Sequence, residues 1–90
     1  MTGNAGVISR LKLYTRRDCC LCEEMKKVIQ ELQTEIPTEV EEIDVDSEPE
    51  LAKVFGHEVP VLFINGRKAF KYRVTRKELR KRLGRRLLKR

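Results

Sequence analysis

Two short apolar–polar alternations, Leu11-Lys12-Leu13-Tyr14 and Val40 to Val45, bracket a stretch with a different period. Between them Cys22, Met25, Val28, Ile29 and Leu32 recur at helical spacing and lay one apolar stripe along a helix. Glu23 and Glu24 fall in its first turn, where they suit the positive end of the helix dipole. The pattern fades by Thr34, and Pro37 closes the connection. A strand, a helix and a strand in this order form a crossover, so the two strands are parallel and the crossover right-handed.

The rest of the chain completes a sheet. Ile43 and Val45 alternate with acids in the second strand. Ser47-Glu48-Pro49-Glu50 reads as a helix start, with Ser47 as cap, Pro49 in the first turn and Glu50 completing a capping box. Leu51, Val54 and Phe55 then share one face of a short helix that Gly56 ends. Val59-Pro60-Val61-Leu62-Phe63-Ile64 is a dense apolar run closed by Asn65-Gly66, a hairpin signal. Phe70, Tyr72 and Val74 alternate after it as a fourth strand. Thr75-Arg76-Lys77-Glu78 is a second capping box, followed by Leu79, Leu83 and Leu87, with Gly84 weakening the helix near its end. The expected fold class is α/β, in the order β-α-β-α-β-β-α, with a four-stranded mixed sheet and helices on both faces.

At 90 residues there is room for one domain, which spans residues 7–84 between a flexible tail at 1–6 and a basic tail at 85–90. Charged residues are 38% and hydrophobic residues 40%, and no run approaches the roughly 18 apolar residues of a membrane helix. Met1 to Gly6 carries no basic or apolar run of the secretory kind, and a reducing compartment suits an active C-x-x-C protein, so the expected location is cytoplasmic; a monomer is expected. Residues 67–90 hold thirteen Lys or Arg against Glu78 alone, a net +12, while residues 1–66 are net −6. Such a segment attracts an acidic partner or nucleic acid. A solvated helix face is the plainer reading, since no aromatic residue follows Tyr72 among the charges.

Cys19-Cys20-Leu21-Cys22 places three cysteines within four residues, too close to staple a fold. Cys19 and Cys22 form a C-x-x-C pair where a strand ends and a helix begins. Residues three apart at a helix start face the same way, so the two sulfurs can meet. Unpaired backbone N–H groups and the positive dipole end stabilise a thiolate at Cys19. Arg16 and Arg17 push the same way and Asp18 opposes. Cys22, one turn in and on the apolar stripe, suits a shielded resolving thiol. Two other readings stay open at this point. One is ordinary buried thiols. The other is part of a metal or iron–sulfur site built through Cys19, with His57 as the only further ligand of the usual kind. Otherwise His57 reads as a solvated loop residue, Cys20 as a bystander and Tyr14 as core or site wall. Pro60 at the start of a strand is either a plain trans proline or a cis proline that leaves the backbone of Val59 free beside the site.

The strand ending Leu13-Tyr14-Thr15, the C-x-x-C opening a helix, Val59-Pro60 some forty residues later and the Asn65-Gly66 hairpin together resemble the glutaredoxin-like branch of the thioredoxin superfamily. The resemblance covers roughly residues 7–83 and comes nearest to small members with a C-x-Leu-Cys motif. It implies a thioredoxin-like fold and thiol–disulfide exchange, with Cys19 as nucleophile, Cys22 as resolving thiol and Pro60 as the family's cis-proline. No bound cofactor or metal is implied, and glutathione is the candidate reductant. We take Val59, Pro60, Tyr14 and Arg16 as the substrate-contacting positions, for a protein or small-molecule thiol or disulfide. The sequence departs from the pattern at Cys20-Leu21, where glutaredoxins have a proline and an aromatic residue. It departs at Glu58, where a small hydroxyl residue is common. It departs again at Val74-Thr75-Arg76-Lys77, which lacks the glycine pair and acid that hold glutathione in that family. The alternatives are a thioredoxin-fold adaptor that binds through its basic C-terminal helix, and a metal or iron–sulfur carrier.

Overall fold

The computed structural model describes residues 8–88, and the expected tail at 1–6 lies outside the described residues. Strand β1 (Ser9–Thr15) leads to helix α1 (Cys20–Gln33), which returns to strand β2 (Thr38–Asp44). A 3-10 turn (Val45–Ser47) precedes the short helix α2 (Pro49–Phe55). Strands β3 (Val61–Ile64) and β4 (Arg67–Lys71) form a hairpin, and helix α3 (Arg76–Leu88) closes the order. The sheet runs β2-β1-β3-β4, with β1 parallel to β2 and the other pairs antiparallel. This is the expected mixed sheet with helices on both faces.

Alternation along the strands decides which residues meet which layer. Leu11 and Leu13 of β1 and Leu62 and Ile64 of β3 point to one face. There they pack against Met25, Ile29 and Leu32 of α1 and Leu79 and Leu83 of α3. Full burial of each such side chain is worth about 1.5–3 kcal/mol, so this layer dominates the stability. Tyr14 and Phe63 point to the opposite face, where Phe55 of α2 stacks on Tyr14 with ring centroids 4.5 Å apart. The Asn65-Gly66 turn has positive φ at both residues, 51° and 86°, as a two-residue hairpin of matching twist requires. Thr75 and Glu78 cap α3 reciprocally: the Thr75 N–H donates to the Glu78 carboxylate at 2.9 Å and the Glu78 N–H to the Thr75 hydroxyl at 3.0 Å.

Four local expectations are corrected. β2 ends at Asp44, and Val45, fully buried, begins the 3-10 turn instead of ending the strand. Ser47 does not cap α2. The Asp44 carboxylate captures the Asp46 N–H at 2.8 Å and closes the turn early, leaving Glu48 as an N-cap whose side chain makes no capping bond. Pro49 at the helix start tolerates this because it brings no N–H to satisfy. Val54 is 61% exposed and does not share the inner face of α2 with Phe55. Finally, β4 stops at Lys71. Tyr72 adopts φ 71°, which turns the chain out of the sheet, although Val74 beyond it is still buried.

Candidate active site

The β1–β3 register sets Tyr14 opposite Val61. The chain therefore leaves β1 toward the cysteines at the same end of the sheet where Pro60 enters β3. Asp18, in the left-handed region at φ 58°, makes the turn before the helix, a conformation that aspartate accepts more readily than most residues. Cys19 then stands as the N-cap of α1 in extended conformation, and its sulfur accepts the Cys22 backbone N–H at 3.2 Å. A capping position normally goes to an oxygen side chain that satisfies an orphan N–H of the first turn. Here a sulfur takes that place, and the same N–H favours the thiolate when the pair is reduced.

Cys19 and Cys22 form a disulfide with Cα atoms 5.2 Å apart. Cys19 is half-buried and Cys22 is 1% exposed, set into the apolar stripe of α1 as its spacing predicted. Cys20 is a free, exposed thiol on the first turn. Among the described residues no three His, Cys, Asp or Glu side chains gather in a way that could hold a metal ion.

Val59 is half-buried and the Val59-Pro60 peptide bond is cis. The Pro60 carbonyl accepts the Tyr72 N–H at 2.8 Å, so the segment after β4 is tied to the proline. The Tyr72 hydroxyl donates to the His57 carbonyl at 3.4 Å, while His57 itself is exposed in the loop. A small groove of about 260 Å³ lies beside the first turns of α1, lined among others by Leu21, Val28, Tyr72 and Val74. A larger groove, about 820 Å³, runs along the α2 face of the sheet between Arg10, Lys12, Glu39 and Phe63, and none of the cysteines lines it.

The other two substrate-contacting candidates, Tyr14 and Arg16, have partners within the fold. Tyr14 belongs to an aromatic trio with Phe55 and Phe63. Arg16 donates to both Asp46 carboxylate oxygens, at 3.0 and 2.9 Å, and to the Gly56 carbonyl at 3.1 Å. Its hydrogen bond to Asp46 raises the already high pKa of the guanidinium and holds the Asp46 carboxyl below the usual carboxylate range. Arg16 thus connects the loop before Cys19 to the C-terminus of α2, four residues before Pro60. Gly56 is required there, since a Cβ would collide with the Ala52 carbonyl and press on Arg16. Sequence reasoning passed over Asp46, one acid in an acidic run, and Tyr72, which it read as a strand residue. Neither carries a local signal of its role.

A cysteine pair at disulfide distance at a helix start, at the same end of the sheet as a cis proline that opens an antiparallel strand, defines a thioredoxin-fold protein. The glutaredoxin-like domain model (DUF836) matches residues 10–84, so the chain belongs to that glutaredoxin-like family. Among solved structures it is similar to protein Ne2328 from Nitrosomonas europaea, at 28% identity and TM-score 0.72 over 88% of this chain and 94% of that one. It is similar to target protein XcR50 from X. campestris, at 27% identity and TM-score 0.71 over 82% and 95%. It is also similar to desulfothioredoxin from Desulfovibrio vulgaris Hildenborough in its reduced form, at 26% identity and TM-score 0.63 over 90% and 86%. No curated protein matches the chain.

Proposed function

We propose that the chain is a thiol–disulfide oxidoreductase that reduces disulfides through Cys19 and Cys22. The observation that carries this reading is the Cys19–Cys22 disulfide itself, joining a half-buried N-cap cysteine to a buried partner one turn inside α1.

In the reduced protein the Cys19 thiolate attacks one sulfur of a substrate disulfide. A Cys19–substrate mixed disulfide forms and the other substrate sulfur leaves as a thiolate, which takes a proton from solvent. The Cys22 thiol then loses its proton and attacks the Cys19 sulfur. The mixed disulfide breaks, the second substrate thiolate leaves, and the Cys19–Cys22 disulfide remains. The substrate gains two electrons and the protein loses two. An external dithiol, or two molecules of a monothiol such as glutathione, returns the pair to its reduced form. The Cys22 N–H, 3.2 Å from the Cys19 sulfur, stabilises that sulfur both as nucleophile and as leaving group. A reducing compartment such as the cytoplasm suits this cycle.

The test is equilibration in glutathione redox buffers, followed by acid quench, alkylation and peptide mass analysis. A reversible Cys19–Cys22 pair with a potential of about −180 to −270 mV is expected. Three thiols that stay reduced throughout, or that scramble without a defined pair, would overturn the reading. Cys19→Ser should abolish exchange, and Cys22→Ser should trap mixed disulfides.

A further inference from the structure

We propose that helix α3 docks an acidic segment of the protein whose disulfide is reduced at Cys19; this rests on the oxidoreductase reading above. Only part of the basic C-terminal segment is spent on folding. Arg76 and Arg80 of α3, with Arg73 just before it, pair with Glu31, Glu35 and Glu24, on α1 or just past its end, at 3.4, 2.7 and 3.9 Å. Leu79 and Leu83 are fully buried in the core. These two sets account for the inner side of the helix.

The outer side has no such complement. Lys77, Lys81 and Arg82 are exposed, and among the described residues none of them lies within ion-pair distance of a carboxylate. Arg82 rests over the Phe70 ring at 5.6 Å, and the carboxylate of Glu78 is taken up by the Thr75 N–H. Lys77 and Lys81 are four residues apart, a like-charge spacing that opposes helix formation. The sequence continues the spacing, with Arg85 and Lys89 following Lys81, and Arg86 and Arg90 following Arg82. Of the fourteen acids in the chain, Glu78 alone lies beyond Glu58. Lys77, Lys81 and Arg82, kept clear of acids against their mutual repulsion, call for an anionic surface brought by a partner.

The placement of the helix selects the kind of anion. Thr75 and Glu78, at the start of α3, line the same small groove as Leu21 of the C-x-x-C motif. The helix begins beside the cysteines and runs on from there. Lys77 to Leu88 covers about 16 Å at helical rise, the length of about five extended residues. A protein that presents a disulfide to Cys19 and carries acids some residues away satisfies both sites in one encounter. No aromatic residue follows Tyr72, so the surface offers no platform for stacking bases. Between a nucleic acid and a protein, only the protein brings a disulfide.

The experiment uses the full chain with Cys20→Ser and Cys22→Ser, leaving Cys19 as the single thiol. Two synthetic peptides each carry one cysteine as a thiopyridyl disulfide, followed by six Glu in one and six Gln in the other. Cys19 attacks the peptide sulfur, a Cys19–peptide disulfide forms, and the thiopyridyl group leaves with a change in absorbance. At low salt the Glu peptide should react at least about tenfold faster. The advantage should vanish at high salt, and should fall severalfold on adding Lys77→Gln, Lys81→Gln and Arg82→Gln. Equal rates for the two peptides at low salt would overturn the docking proposal while leaving the oxidoreductase reading intact. If neither peptide reacts, the oxidoreductase reading fails. Fluorescence anisotropy of the Glu peptide then decides the surface separately, and no salt-sensitive binding overturns it. Duplex DNA binding more tightly than the Glu peptide at physiological salt would reassign the surface to nucleic acid and overturn a protein partner.

Discussion

Arg16 grips the carboxylate of Asp46 with Nε and Nη2, at 3.0 and 2.9 Å, across thirty residues of chain. Its remaining arm holds the Gly56 carbonyl at 3.1 Å. One guanidinium therefore fixes the spacing between the segment that leads to Cys19 and the segment that leads to Pro60. A lysine supplies the charge without the planar fork. We expect Arg16→Lys to lower the melting temperature and to slow disulfide exchange, through positioning and not through charge. Gly56→Ala should cost about 1–3 kcal/mol, since the added methyl group meets backbone that cannot move aside. Urea unfolding of both variants, with exchange rates against dithiothreitol, checks the pair. Wild-type stability in Gly56→Ala would show that this contact does not constrain the loop.

The ion pairs set the response to acid. Hydrogen bonds from Arg16, Arg80 and Lys68 hold the carboxyls of Asp46, Glu35 and Glu58 below their usual range. A carboxyl with a lowered folded pKa takes up its proton more readily in the unfolded chain. Its contribution is present above the ordinary carboxylate range and is lost as pH falls through that range to the folded value. The urea midpoint should be level from neutral pH down to about pH 5 and then fall. Asp46 and Glu35 are exposed and Glu58 is half-buried, so added salt should flatten the slope. Asp46→Asn should remove part of the acid-side decline, together with part of the stability at neutral pH. A midpoint that rises on acidification would contradict the assignment.

The three cysteines should differ sharply in reactivity. Cys20 is free and exposed, so iodoacetamide should label it before any reduction. After reduction, Cys19 should label at a pH below the usual thiol midpoint of about 8.5, because the first turn of α1 stabilises its thiolate. Cys22 is buried and should react last, by about tenfold or more. Peptide mass analysis over a pH series gives the order. Faster labelling of Cys22 than of Cys19 would reverse their roles as nucleophile and resolving thiol.

Most of the fold is written in the order of local periods. The stripe from Cys22 to Leu32, the Asn65-Gly66 turn and the Thr75–Glu78 box each rest on contacts within a few residues, and each appears in the structure. The cysteine pair is legible for the same reason, since its two sulfurs are one helical turn apart. Part of what sequence reading missed depends on distant partners. Arg16 looks like a free cation near Cys19 until Asp46 and Gly56 arrive from other elements. Tyr72 continues the alternation of β4, and only its φ of 71° shows that the chain has left the sheet. Ser47 carries a full capping signature, but Asp44 closes the preceding turn first.

Tyr72 offers the sharpest test of that last kind of constraint. At φ 71° a large side chain sits where glycine is most at ease, at a cost of about 1–2 kcal/mol for an L-residue. Its side chain returns some of this through the hydroxyl bond to the His57 carbonyl and the approach of Lys71, 5.3 Å from the ring centre. Tyr72→Ala removes those contacts and keeps the strained backbone. Tyr72→Gly removes the contacts and the strain together, though glycine also loosens the unfolded chain. The expectation is that Tyr72→Gly is more stable than Tyr72→Ala by about 1 kcal/mol in urea unfolding. If the two variants unfold at the same midpoint, or alanine is the more stable, Tyr72 does not hold a left-handed conformation in solution and the link from β4 to Pro60 has another geometry.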